Sequence, residues 1–106
     1  MTPDKPLTFE EHVTRALDAL PADISRRLEN VVVVVEDEHA EEPDLLGLFE
    51  GGGEFMPDKV TIYRLPLEAD FPDPVELEEE IRITVLHELG HYFGIDEDRL
   101  DQLGYR

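Results

Sequence analysis

The chain has 106 residues, of which 41% are hydrophobic and 34% charged, a balance that is typical of a globular protein and predicts a single domain over residues 1–106. Its 27 acidic and 9 basic side chains give a net charge of -18, which disfavours binding to nucleic acid and to anionic membranes. No cysteine is present, so a metal would need nitrogen and oxygen ligands, and no apolar run reaches the roughly 18 residues that span a bilayer. We expect a cytoplasmic protein.

The first third of the chain predicts two helical segments and a strand. Thr8 and Glu11 have the spacing of a capping box, which begins a helix that ends before Pro21. Pro21 opens a second, short helical turn. The run Val31–Val35 consists of β-branched residues alone, which predicts a strand that is buried on both faces. The apolar stripe of the first helix is Phe9, Val13, Ala16, Leu17 and Leu20.

The middle of the chain predicts two more strands. The acidic segment 36–44 is typical of a loop, and Leu45–Glu50 is a short apolar segment closed by three glycines, which predicts a strand and a turn. Residues Lys59–Leu65 alternate with a period of two, which predicts a strand with Val60, Ile62 and Arg64 on one face.

The last third predicts one long helix. Asp73 and Pro74 form a helix start, and the apolar residues that follow continue to about Phe93 on most sides of the helix, which indicates a buried helix. Gly94 ends it, and residues 96–104 predict a final short helix. The fold class is therefore α+β, with a small sheet packed on helices.

The long helix contains the segment His87-Glu88-Leu89-Gly90-His91. Histidines four residues apart lie on one helical face, so both imidazoles can bind one zinc ion at roughly 2.0–2.1 Å. Glu88, about 100° round the helix, flanks that ion and can accept a proton from a zinc-bound water as general base for peptide hydrolysis. The alternative is two core histidines whose spacing is accidental.

Through residues 87–97, His-Glu-Leu-Gly-His-Tyr-Phe-Gly-Ile-Asp-Glu, the sequence resembles the zincin metallopeptidases, and most closely a group of very small bacterial zincin-like proteins with an α+β core. The resemblance implies a zinc peptidase. It also implies a third metal ligand just after the glycine turn, and Glu97 has the matching spacing, with Asp96 and Asp98 as the alternatives. Gly94 can adopt a positive φ that sends the following residues back toward the histidines. Asp96 is better placed to cap the final helix.

The expected substrate is a peptide or an unfolded protein segment, held as an extended strand on a sheet edge near the metal, and Lys59–Leu65 is the predicted edge strand. Two rival interpretations are a metal-dependent binding module without turnover and an acidic mimic of nucleic acid. The oligomeric state is left open.

Several further residues have a structural and a functional interpretation. We expect surface positions for His12 and His39, a solvated or ligand-supporting role for Glu80, and core positions or an oxyanion contact for Tyr63, Tyr92 and Tyr105.

Overall fold

The computed structural model describes residues 6–94 and 97–102, without the side chains of residues 97 and 100. Within these residues the helices and strands form an α+β fold, which confirms the predicted class. Among them, no helix has the length and apolar character needed to cross a membrane. The elements in chain order are α1 (Phe9–Asp18), α2 (Ala22–Ser25), a 3-10 turn (Arg26–Leu28), β1 (Val31–Glu36), β2 (Gly47–Glu50), β3 (Asp58–Tyr63), α3 (Arg64–Asp70), α4 (Pro74–Phe93) and α5 (Glu97–Gln102).

The sheet has the strand order β1-β3-β2, with β1 parallel and β2 antiparallel to β3. The prediction that Lys59–Leu65 forms an edge strand is therefore wrong, because β3 is paired on both sides and the antiparallel edge strand is β2. The predicted strand is also too long, since β3 ends at Tyr63 and Arg64 begins α3. A period of two reports which faces the side chains take and carries no information about which backbone edges are paired.

The valine strand β1 is less buried than predicted. Val32 is 43% exposed and the other four valines are only partly buried, so the strand is not covered on both faces. The reason is its position, because β1 pairs with β3 alone among the described strands and lies at the other edge of the sheet. A run of β-branched residues favours a strand without deciding whether that strand is central.

Helices α1 and α4 form as the sequence predicts. Thr8 and Glu11 complete the capping box of α1, and the Asp73 side chain accepts from the backbone N–H of Glu76 at the start of α4. Gly94 ends α4 with φ +63°, a conformation that favours glycine. The two helices pack against each other, and α4 also packs on β2 and β3. The core comprises Phe9, Val13, Ala16, Leu20, Ile24, Val60, Ile62, Leu67, Leu77, Ile81, Val85, Leu86 and Leu89.

A partly buried cluster of His12, Arg15 and Glu78 joins α1 to α4. His12 was expected at the surface but is buried, and its Nδ1 lies 2.9 Å from Oε1 of Glu78. Arg15 donates to the same carboxylate oxygen at 2.9 Å. His12 falls on the stripe that faces α4, and a carboxylate on that helix satisfies the ring where an apolar side chain would otherwise pack.

Acid should weaken this connection. The hydrogen bond with His12, aided by Arg15, holds the pKa of the Glu78 carboxyl below its usual value of 4.5. A lowered folded-state pKa contributes stability that is complete above the unfolded value and is lost as the pH falls through the folded one. Glu78→Gln should therefore lower the free energy of unfolding at pH 7 and make it fall less steeply below pH 4.5. Urea unfolding across this range measures both effects, and Glu10→Gln, at an exposed position on α1, is the control. Parallel curves for the parent and Glu78→Gln would contradict the assignment.

Candidate metal centre

Helix α4 presents His87 and His91 side by side on its solvent face. Both side chains are exposed, and their ring centroids are 4.5 Å apart with a tilt of 46°. Two imidazoles bound to one tetrahedral zinc ion have centroids about 5 Å apart, given metal–nitrogen distances near 2.1 Å. The pair therefore fits two positions of a nitrogen and oxygen site for zinc with only a small adjustment of the side chains.

The histidines are not in the core, which corrects the expectation of a helix buried on most sides. The apolar stripe of α4, which includes Val85, Leu86 and Leu89, faces the sheet and α1 and is fully buried, so residues 87 and 91 fall on the opposite side. A helix on the outside of a small domain buries one face only. Both imidazoles are therefore accessible to a metal ion from solvent.

Glu88 is directed toward the sheet and away from the two histidines. Its side chain is half-buried, and Oε1 accepts a hydrogen bond of 3.1 Å from the backbone N–H of Phe49 in β2. One residue along a helix is a rotation of about 100°, which separates Glu88 from the face that carries His87 and His91. The carboxylate thus lies between the face that carries His87 and His91 and the edge strand of the sheet.

A cleft of about 350 Å³ joins the motif to this edge strand. One wall is the segment that leads into β2, and the other is the side of α4 that carries the first half of the motif. Its lining residues are Asp44, Leu45, Leu46, Gly47, Glu80, Ile83, Thr84, His87 and Glu88. His87 and Glu88 therefore border the same cleft as the segment that leads into β2.

A third metal ligand is not identified among the described residues. Among the described residues, no three His, Asp or Glu side chains are close enough to hold an ion. Asp98 is exposed in the first turn of α5, whereas Asp96 and the side chain of Glu97 fall outside the described residues. The assignment of Glu97 as the third ligand stays a prediction.

The remaining candidates have structural contacts. Nδ1 of His39 accepts from the backbone N–H groups of Glu41 and Glu42 and so organises the acidic loop, where the histidine is partly buried. Tyr63 is buried, as expected, and burial raises the pKa of its hydroxyl. Tyr92 is 51% exposed, and its ring lies 3.8 Å from that of Phe49, measured between centroids. Tyr105 lies outside the described residues.

A family model described as zincin-like metallopeptidase matches residues 28–105, which include the sheet, α4 and the whole histidine motif. The chain belongs to the zincin-like metallopeptidase family. No curated protein matches it. Helices α1 and α2 precede the match, so the region shared with other zincin-like metallopeptidases begins in the 3-10 turn before β1.

Sequence reasoning missed two residues of this zincin-like site, Gly47 and Phe49. Phe49 contributes its backbone N–H, a group that nearly every residue carries, so no side-chain pattern could have marked it. The position of Gly47 against α4 depends on a contact between parts of the chain that are far apart in sequence. Only the three-dimensional arrangement of β2 and α4 identifies these positions.

Proposed function

We propose that the chain is a zinc-dependent peptidase, in which His87, His91 and Glu97 hold the metal and Glu88 is the general base. The observation that carries this proposal is the arrangement around α4. Two adjacent imidazoles fit a zinc ion, and the glutamate between them in sequence reaches the edge strand that borders the same cleft.

Within this proposal, a zinc ion would polarise the carbonyl group of the substrate and make an attacking water more acidic. Glu88 takes the proton from that water and transfers it to the leaving amine. Oε1 of Glu88 is held by the backbone N–H of Phe49, and we assign proton transfer to the second carboxylate oxygen. The fixed oxygen restricts rotation of the side chain, so the carboxylate is oriented before substrate binds.

The hydrogen-bonding pattern of β2 supports an extended peptide as the substrate. The backbone carbonyl of Leu46 accepts from the backbone N–H of Tyr63. In an antiparallel ladder, the backbone N–H and C=O groups of successive residues alternately face the partner strand and face away from it. With Leu48 opposite Thr61, the backbone groups of Gly47 and Phe49 face the open edge. Because Glu88 already accepts from the Phe49 N–H, an unfolded segment would pair with this edge through the N–H and C=O of Gly47 and the C=O of Phe49, with little selectivity for sequence.

Metal analysis combined with a peptide-library digest tests the proposal. We expect about one zinc per chain after reconstitution, lost with a chelator or at acidic pH as the imidazoles protonate. We also expect cleavage of peptides that stops on chelation and returns with added zinc. A protein that binds no metal after reconstitution would contradict the proposal, and one that binds zinc without cleaving any peptide would favour the metal-dependent binding module.

A further inference from the structure

The backbone N–H of Phe49 is the feature of the edge strand that needs an explanation. It faces away from β3 and would be open to solvent if no side chain reached it. Oε1 of Glu88 accepts it at 3.1 Å, so a carboxylate of α4 takes the place that a neighbouring strand would occupy. A hydrogen bond with a charged acceptor is stronger than one between neutral groups.

This hydrogen bond requires β2 to lie very close to α4, and Gly47 is the point of closest approach. A Cβ at position 47 would lie 2.6 Å from Cγ2 of Thr84, 3.3 Å from the carbonyl oxygen of Thr61 and 3.8 Å from Cγ of Glu88. Thr84 cannot easily move its methyl group, because it is buried and its hydroxyl donates to the carbonyl oxygen of Glu80 at 2.7 Å. Any larger residue at position 47 must push the strand and the helix apart.

A displacement of β2 at Gly47 also moves Phe49, because alternate residues of β2 and successive turns of α4 have nearly the same spacing. Two strand residues advance about 6.6 Å and four helix residues about 6 Å, so Gly47 and Phe49 meet successive turns of α4. Gly47 lies against Thr84 and Glu88, and the Phe49 ring packs on Tyr92, one turn farther along. Moving β2 outward at Gly47 would therefore also withdraw the Phe49 N–H from Glu88.

We propose that the main-chain N–H of Phe49 is the positioning group of Glu88, and that Gly47 is the residue whose small size lets β2 approach closely enough for it to act. The catalytic meaning of this contact rests on the proposed function. The contact between Phe49 and Glu88, and its dependence on Gly47, do not rest on that function, because both can be measured without substrate or metal.

Amide hydrogen exchange followed by NMR tests the proposal in the full chain. The Phe49 amide should exchange at least about tenfold faster in Glu88→Ala than in the parent, because the acceptor is removed. Glu88→Gln should keep its protection, because the side-chain amide oxygen still accepts. If the parent and Glu88→Ala exchange Phe49 at the same rate, the N–H does not hold Glu88 and the proposal is wrong.

The role of Gly47 is tested by rescue. Gly47→Ala should speed exchange at Phe49 to a similar extent, and adding Thr84→Ser should restore protection, because serine lacks Cγ2 yet keeps the hydroxyl that donates to Glu80. Thr84→Ser alone is the matched control and should exchange like the parent. A double variant as unprotected as Gly47→Ala would overturn the role of Gly47. If Gly47→Ala does not fold, the double variant still decides the point: a folded double variant with Phe49 protected attributes the loss to the clash with Cγ2 of Thr84, whereas a double variant that also fails to fold overturns the role of Gly47.

An activity measurement separates this inference from the proposed function. On a peptide selected from the library, Gly47→Ala should lower kcat, and the double variant should recover it. If no peptide is cleaved by the parent, the proposed peptidase function fails while the exchange experiment still decides whether Phe49 and Gly47 position Glu88.

Discussion

Glu88→Gln is expected to retain one zinc per chain and to lose roughly 10²- to 10⁴-fold in kcat/KM on any cleaved peptide, the range that general acid–base catalysis contributes. Glutamine occupies almost the same volume and its amide oxygen can still accept from the Phe49 N–H, so the cleft should keep its shape. The substitution removes only the ability to take a proton from water. Metal retention follows because Glu88 faces β2, whereas the proposed histidine ligands face solvent.

The measurement combines elemental analysis with steady-state kinetics on the same preparation. Glu79→Gln is the matched control, because it removes one carboxylate from an exposed position of the same helix, outside the cleft. It should stay within a few-fold of the parent. Cleavage by Glu88→Gln at the parental rate would show that Glu88 is not the base and would shift support toward the metal-dependent binding module.

The sequence predicts the helices well where local chemistry defines their ends. The capping box at Thr8, the Asp73 cap and the positive φ of Gly94 are all interactions within a few residues of the chain. Helix α3 was missed for a local reason too. Pro66 lies in its first turn, where proline is tolerated, but a proline also disfavours helix at the residue before it, which made the segment resemble the end of a strand.

The sheet was harder to predict because its order depends on contacts between distant segments. Val31 pairs with Asp58, and the antiparallel partner of β3 comes from the intervening segment. Five valines favour a strand at the centre of a sheet as well as at its edge, so they do not indicate that β1 is an edge strand. The same limit explains why β3, with its regular alternation, was assigned to the position that β2 occupies.

For the candidate site, the sequence predicts what a single helix can encode. The spacing of His87 and His91 brings two rings together and turns Glu88 to the side, and the structure has this arrangement. The burial of α4 was predicted too broadly, because its apolar residues were taken to surround the helix, whereas they form one broad face and leave His87 and His91 exposed. The contribution of β2 lies outside any pattern in the sequence, since it consists of a backbone N–H and the absence of a side chain.

Loss of Glu97, the proposed third ligand, is the substitution that should have the largest effect on metal binding. Glu97→Ala should weaken zinc binding by at least about 100-fold, since even substitutions of residues that only hydrogen-bond to a metal ligand cost 10- to 100-fold. Asp96→Ala should leave zinc affinity within a few-fold and lower stability by about 1 kcal/mol through a lost helix cap. The described backbone is consistent with this order, because α4 ends at Phe93, Gly94 has a positive φ and α5 begins at Glu97.

The position of α5 bears on the comparison of Glu97→Ala with Asp96→Ala. Arg99 binds both carboxylate oxygens of Asp23, with its Nε 3.1 Å from Oδ2, which fixes α5 against α2. Residues 93 and 97 are joined by four peptide units and cannot be more than about 14 Å apart, so the start of α5 stays near the end of α4. Zinc titration against a competing chelator measures the affinities, with Asp98→Ala as the control because Asp98 is exposed in the first turn of α5. If Asp96→Ala lost zinc and Glu97→Ala kept it, Asp96 would be the ligand and Glu97 an ordinary first-turn acid.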